Sequence, residues 1–147
     1  MKYLFIFLIL IFSGCASKSH LCEIQEVQEA MQIFEKQIDK NINAIEPKSI
    51  KCENGIVVVE YDALPNSQIA KITNSITDIE EAQKLYEFMQ NEIDCKSAFI
   101  KNGLTLKQII ILDNKKQLVT TTKPRLCKYL SKNNMFFTDI VKNHAKK

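Results

Sequence analysis

Five cysteines carry most of the chemistry that residue type and spacing allow in this chain of 147 residues. Cys15 stands apart from the others, directly after the small pair Ser13-Gly14. Cys22, Cys52, Cys95 and Cys127 are separated by 30, 43 and 32 positions, so no Cys-x-x-Cys occurs. Metal motifs normally bring their ligands in close pairs. An even number of cysteines in an exported chain instead suggests two disulfides. Free thiols and a zinc site stay open as alternatives. Four cysteines permit three connectivities. Shorter loops close at lower entropy cost, which favours Cys22–Cys52 with Cys95–Cys127.

Little else points to a reaction. The only histidines are His20 and His144, both in end segments. No Gly-x-Ser-x-Gly, His-Glu-x-x-His or phosphate-binding glycine loop is present. Three glycines leave little material for a cradle of backbone amides. The carboxylates Glu60, Asp62 and Asp113 stand near expected strand ends, where turn caps and solvated groups are common. If the four cysteines pair, no thiol remains as a nucleophile. The expectation is a protein without catalytic residues, cofactor or bound metal.

The elements that position these residues begin with Met1–Cys15. Lys2 is a lone positive charge, Leu4 to Phe12 are all apolar, and Ser13 and Gly14 are small. That order is a signal peptide's. The apolar run falls far short of the roughly 20 residues a membrane-spanning helix needs. Ile11-Phe12-Ser13-Gly14-Cys15 resembles the lipobox of bacterial lipoprotein precursors. The resemblance implies a diacylglycerol on the Cys15 thiol, cleavage just before Cys15, and acylation of the new amino terminus. Two or more acyl chains hold a protein stably on a membrane surface. Ala16, standing where an Asp would favour the inner membrane, implies the periplasmic face of the outer membrane. An ordinary secretory signal and an uncleaved anchor are the competing readings.

On this reading residues 1–14 are removed, 15–21 form the lipidated cysteine and a polar tether, and 22–147 form one domain. The remaining 133 residues are enough for a real core. Losing Lys2 takes the formal charge from +3 to +2, so nothing marks the chain for nucleic acid. Arg125 is the only arginine. Sites that need a planar fork for phosphate or carboxylate normally use Arg.

Residues 23–45 give the strongest helix signal, with Ile24, Val27, Met31, Phe34, Ile38, Ile42 and Ile45 at steps of three and four. Pro47 is expected to end it. Strands over 49–53 and 56–62 flank Asn54-Gly55, a strong hairpin signal. Residues 68–75 fit strand and helix equally. The sequence Thr77-Asp78-Ile79-Glu80 is a capping box opening a second helix to about Ile93. Its apolar stripe is Ile79, Ala82, Leu85, Tyr86, Met89 and Ile93. Strands follow over 97–101, 104–112 and 117–122, with Asn102-Gly103 read as a second hairpin and Pro124 as a breaker. A last helix runs from Ser131 to Ala145, its apolar face flanked by Lys132, Lys142, Lys146 and Lys147.

The order helix, strand, strand, strand thus recurs at offsets near 50, as a tandem repeat or as chance. The fold class expected is α+β: a two-layer sandwich, a mainly antiparallel sheet with two long helices on one face and a short C-terminal helix. The function expected is a binding or assembly module on a lipid anchor, with an envelope protein as partner. Its contact surfaces would be the open sheet face and the polar side of helix 23–45. A ligand carrier or enzyme with a pocket between helices and sheet is the first alternative. An inhibitor or immunity-type lipoprotein is the second.

Overall fold

Asn54 and Gly55 both take positive φ, 52° and 77°, and fold the chain back on itself between two strands. Such turns match the natural twist of a strand pair. The computed structural model describes residues 18–38, 40, 45–65, 67, 71, 79–112, 116–136 and 138–139. In it β1 (Ile45–Glu53) and β2 (Ile56–Ala63) form this hairpin, with Glu53 opposite Ile56. β3 (Thr105–Ile111) lies parallel to β2, and β4 (Gln117–Thr122) returns antiparallel to β3. The sheet is four-stranded and mixed, in the order β1-β2-β3-β4. The parallel step needs a crossover, and α1 (Gln25–Glu35) is not part of it. The crossover holds α2 (Ile79–Asp94) and the one-turn α3 (Ala98–Lys101). A fourth helix, α4 (Pro124–Lys132), follows β4 directly. The fold is α+β.

Alternate residues of β2, β3 and β4 face the helices. Near α1 and α3 the layer is apolar: Val27, Ile50, Val57, Val59, Ile100, Leu104 and Leu106 are buried together. Under α2 a second, smaller cluster forms from Ala63, Ala82, Ile110, Leu112 and Leu118. Phe34 and Tyr61 meet edge to face between the two, with ring centres 5.6 Å apart.

Several expectations need correction. The first helix stops at Glu35, and Ile45, expected at its end, begins β1. Ladder bonds from Ile45–Pro47 to Tyr61–Ala63 compete with helix for this stretch, and the apolar step pattern alone does not see them. Pro47 therefore ends no helix. It lies inside β1, where an edge strand tolerates a missing N–H, and the register shifts just after it. Residues 98–101 are a helix rather than a strand: the Ser97 side chain accepts the Ile100 N–H at its start. Asn102-Gly103 is then no hairpin. Gly103, at φ 87°, ends α3, with Gly103 N–H bonded to Ile100 O and Leu104 N–H to Phe99 O. Those two bonds are a Schellman motif, the usual end of a helix at a glycine.

The matched Asn-Gly pairs of the suggested repeat are thus different structures. Among the described residues helix, strand, strand does occur twice, but not in the expected register, and residues 98–101, expected as a strand of the second unit, are helical. Pro124 opens α4 at its first turn instead of only breaking a strand. Ser131, expected to cap the last helix, sits inside α4. Asn134, at φ 51°, closes α4. Residues 138–139 are helical, and Lys142 to Lys147 lie outside the described residues. Thr77, Asp78 and most of 68–75 lie outside them as well.

Candidate functional site

The four cysteines sit in two pairs at bonding distance. The Cys22 and Cys52 sulfurs are 2.01 Å apart, and those of Cys95 and Cys127 are 1.95 Å apart. The first pair ties a 3₁₀ turn, Lys18–Glu23, to β1. The second ties the end of α2 to α4. Leu21, within the 15–21 segment read as a tether, and Cys22 pack on the core. His20 is exposed in that turn. Cys15, Asp113 and His144 lie outside the described residues. Glu60 accepts the Ser49 hydroxyl at 3.0 Å, and Asp62 lies 3.5 Å from the Lys48 amine. As residues i and i+2 of β2, both carboxylates stand on one face of the sheet, each held in a local contact with β1. Among the described residues, no three His, Cys, Asp or Glu groups gather as metal ligands.

The polar groups that do converge lie between α2 and the sheet. Asp94, at the last turn of α2, is 1% exposed. Its Oδ1 accepts the Gln90 amide at 2.9 Å and also the Gln108 amide from β3. Its Oδ2 lies 2.7 Å from the Thr122 hydroxyl of β4. No cation faces this carboxylate among the described residues. Burial pushes its pKa above the ordinary carboxylate value, against the opposing pull of its hydrogen bonds.

Thr122 links Asp94 to Asn91. Its hydroxyl lies 2.7 Å from Asp94 Oδ2 and 2.8 Å from Asn91 Oδ1, yet it owns one hydrogen. A protonated Asp94 donates to Thr122, which then donates to Asn91. Turning the Asn91 amide satisfies the same contacts with Asp94 charged. Two tyrosines complete the layer. Burial first, and the Asp94 charge second, push the Tyr61 hydroxyl up to about 12. The same causes raise Tyr86 further. The Tyr86 hydroxyl and the Thr120 hydroxyl are buried with no hydrogen-bond partner among the described residues.

The other side of α2 reverses the usual pattern. Ala82 is buried, but Leu85, Phe88, Met89 and Ile93 are between 41% and 63% exposed. Leu85, Met89 and Ile93, half of the stripe that sequence periodicity assigns to the core, thus face away from it. Besides Ala82, α2 turns inward Gln83, Tyr86, Asn91 and Asp94. Gln83 pairs its side-chain amide with Val119 of β4: Val119 N–H donates to Gln83 Oε1 at 2.9 Å, and Gln83 Nε2 donates back to Val119 O. A side chain thereby covers the open edge of the sheet, one of the ways proteins protect edge strands. At the foot of α2, Glu92 accepts the Thr138 hydroxyl at 2.7 Å and the Thr138 N–H at 3.1 Å. These bonds, and then Lys96, hold the Glu92 carboxyl down at about 2.

Sequence reasoning missed this layer because Gln83, Gln108, Thr120 and Thr122 look like ordinary surface residues. One signal was available: residues 117–122 alternate, and Thr120 and Thr122 fall on the phase of Leu118. No protein-family model, curated protein or solved structure matches this chain. No described helix is long and apolar enough to cross a membrane.

Proposed function

We propose that this chain is a lipid-anchored, non-catalytic binding or assembly module of the bacterial envelope, held on the periplasmic face of the outer membrane through Cys15. The observation that carries the binding role is the exposed row Leu85, Phe88, Met89 and Ile93 on α2. Four large apolar side chains along one helix face form a patch of the kind that marks a protein contact. Their spacing suits the apolar surface of a partner laid along α2. This row replaces the open sheet face and the polar side of helix 23–45 as the first contact surface. The anchor rests on the lipobox resemblance of Ile11–Cys15.

A photo-crosslinking residue at Met89, in the full acylated protein in its own envelope, tests the binding role. A discrete protein adduct from Met89, absent from Val58 on the opposite sheet face and lost with Leu85→Asp, supports it. Equal adducts from both positions, or none from Met89, sink it. Cys15→Ala tests the anchor separately. Normal membrane fractionation of that variant would defeat it.

A second reading, a ligand carrier or enzyme, is favoured by one observation: the buried Tyr86 and Thr120 hydroxyls, without a partner among the described residues, in the layer that holds Asp94. Clustered groups with shifted pKa values are common at functional sites. On that reading, Asp94→Asn abolishes function while leaving the Met89 adducts intact.

A further inference from the structure

One end of the sheet gathers the chain entry and an unusual helix. Lys18 lies against Gly55, close enough that a Cβ there would sit 2.9 Å from Lys18 Cβ. Gly55 O accepts the Thr105 N–H at 2.9 Å, so β3 starts at this same end. β4 finishes here too, since Thr122 stands opposite Leu106. α4 leaves directly from it. Across the sheet, β2 and β4 are two strand spacings apart, about 10 Å.

From Lys123 to Lys132 the chain reads Lys-Pro-Arg-Leu-Cys-Lys-Tyr-Leu-Ser-Lys, with four cations and no acid. Leu126, Cys127 and Leu130 turn partly inward, and Cys127 is bonded to Cys95. Arg125, Lys128, Tyr129 and Lys132 then share the outward face, as the 3.6-residue period requires. All four are exposed, Tyr129 by 58%. Lys101 of α3 lines the groove beside Lys128 and Lys132. None of these cations is ion-paired among the described residues. Lys123 and Arg125 also sit at the positive end of the helix dipole, where cations are disfavoured. The sequence accepts a local cost to keep positive charge on this surface.

We propose that the outward face of α4, with Lys101, docks on the headgroups of an anionic phospholipid membrane. The proposal rests on the lipid-anchor reading for its geometry. Lys18 is three residues from Cys15, at most about 10 Å of extended chain. The domain end that carries Lys18 is therefore held within about one Debye length of the headgroups. The anchor sets the height, and the cations set which way the domain faces. Tyr129 among them has the amphipathic ring favoured at membrane interfaces. Docked in this way, the domain is oriented rather than left to swing on its tether.

Lysine labelling of the full acylated protein tests this on vesicles of phosphatidylcholine alone and of phosphatidylcholine with phosphatidylglycerol. Labelling of Lys101, Lys128 and Lys132 is expected to slow by roughly fivefold on the anionic vesicles, the scale of one cation's attraction to such a surface. Lys84 on α2 should not change, and high salt should erase the difference. In Lys128→Glu/Lys132→Glu, Lys101 should label equally on both vesicles, with disulfides and circular dichroism intact. Equal labelling of the unsubstituted protein on both vesicles overturns the proposal, in favour of solvent or an acidic protein partner at this face. Flotation reports the anchor independently. A protein that floats with neither vesicle has lost both readings. One that floats only with the anionic vesicles, and is released by salt, keeps the docking face without the anchor.

Discussion

α1 and α2 read alike in sequence and pack in opposite senses. Both have apolar residues at helical spacing. α1 turns that row inward: Val27 is fully buried, and Met31 and Phe34 pack on the same cluster. α2 turns much of its row outward and meets the sheet through Ala82, Tyr86 and a set of amides and acids. Apolar periodicity identifies a helix and its two faces. It does not say which face meets the sheet, because that depends on what the strands present. β1 and β2 offer α1 the side chains of Ile50, Val57 and Val59. β3 and β4 offer α2 Gln108, Thr120 and Thr122 as well as leucine and isoleucine. Polar groups on α2 turn inward to meet Gln108 and Thr122, since an unpaired buried polar group costs about 1–3 kcal/mol.

The largest effect expected on either half comes from its disulfide. The two bridges close loops of nearly equal length, 30 and 32 residues. If constraint of the unfolded chain is the whole account, Cys22→Ser/Cys52→Ser and Cys95→Ser/Cys127→Ser cost about the same, roughly 3.6 kcal/mol each. Denaturant titration of both double variants checks this. A gap well beyond extrapolation error would show that the halves differ in the folded state, and the α1 cluster, with more buried side chains, should then tolerate the loss better.

The next comparison sets the two apolar rows against each other. Val27→Ala should cost about 2 kcal/mol by lost burial and an unfilled space. Met89→Ser and Leu85→Ser should stay within roughly 0.5 kcal/mol of the parent, as exposed positions do. Thermal melts of the three variants decide it. A Met89→Ser cost as large as that of Val27→Ala would mean the row is covered by this chain itself, and the partner-binding role would lose its main support.

Much of the frame was legible. Asn54-Gly55 fixed the first hairpin, because few dipeptides accept two positive φ angles in succession. Loop closure leaned, among three connectivities, toward the two cysteine pairs that the structure brings to bonding distance. Gln117–Thr122 was readable as a strand. Asn102-Gly103 shows the limit: the pair marks a chain reversal, but the same positive φ ends a helix as readily as it turns a hairpin. What lay beyond reach was non-local. The end of α1 is set by β1 pairing with β2. The polar layer was invisible because its members come from α2, β3 and β4, and no short window contains Asp94, Gln108 and Thr122 together.

The finest test of the contrast addresses the acid that α2 buries where α1 buries a valine. Burial raises the folded-state pKa of Asp94 above the ordinary aspartate value. The folded protein therefore holds a proton that the unfolded chain has already released. Stability then falls as pH rises from near 4 to the folded-state value, and stays lower above it. Asp94→Asn removes that dependence. Its Oδ1 can accept the same two amides, from Gln90 and Gln108, and its Nδ2 can donate to Thr122, which is left to donate to Asn91. The variant should therefore be more stable than the parent at pH 7 by about 1 kcal/mol, the net scale of one neutral hydrogen bond. The advantage should shrink toward pH 4. Melting temperatures of both proteins across pH 4 to 8 give the answer. An advantage constant with pH would mean that Asp94 keeps an ordinary carboxylate pKa, charged and satisfied by its donors, with the Asn91 amide turned toward Thr122. A loss of stability at pH 7 would mean that the charge itself holds the layer together, through a donor such as the Tyr86 hydroxyl swinging toward it.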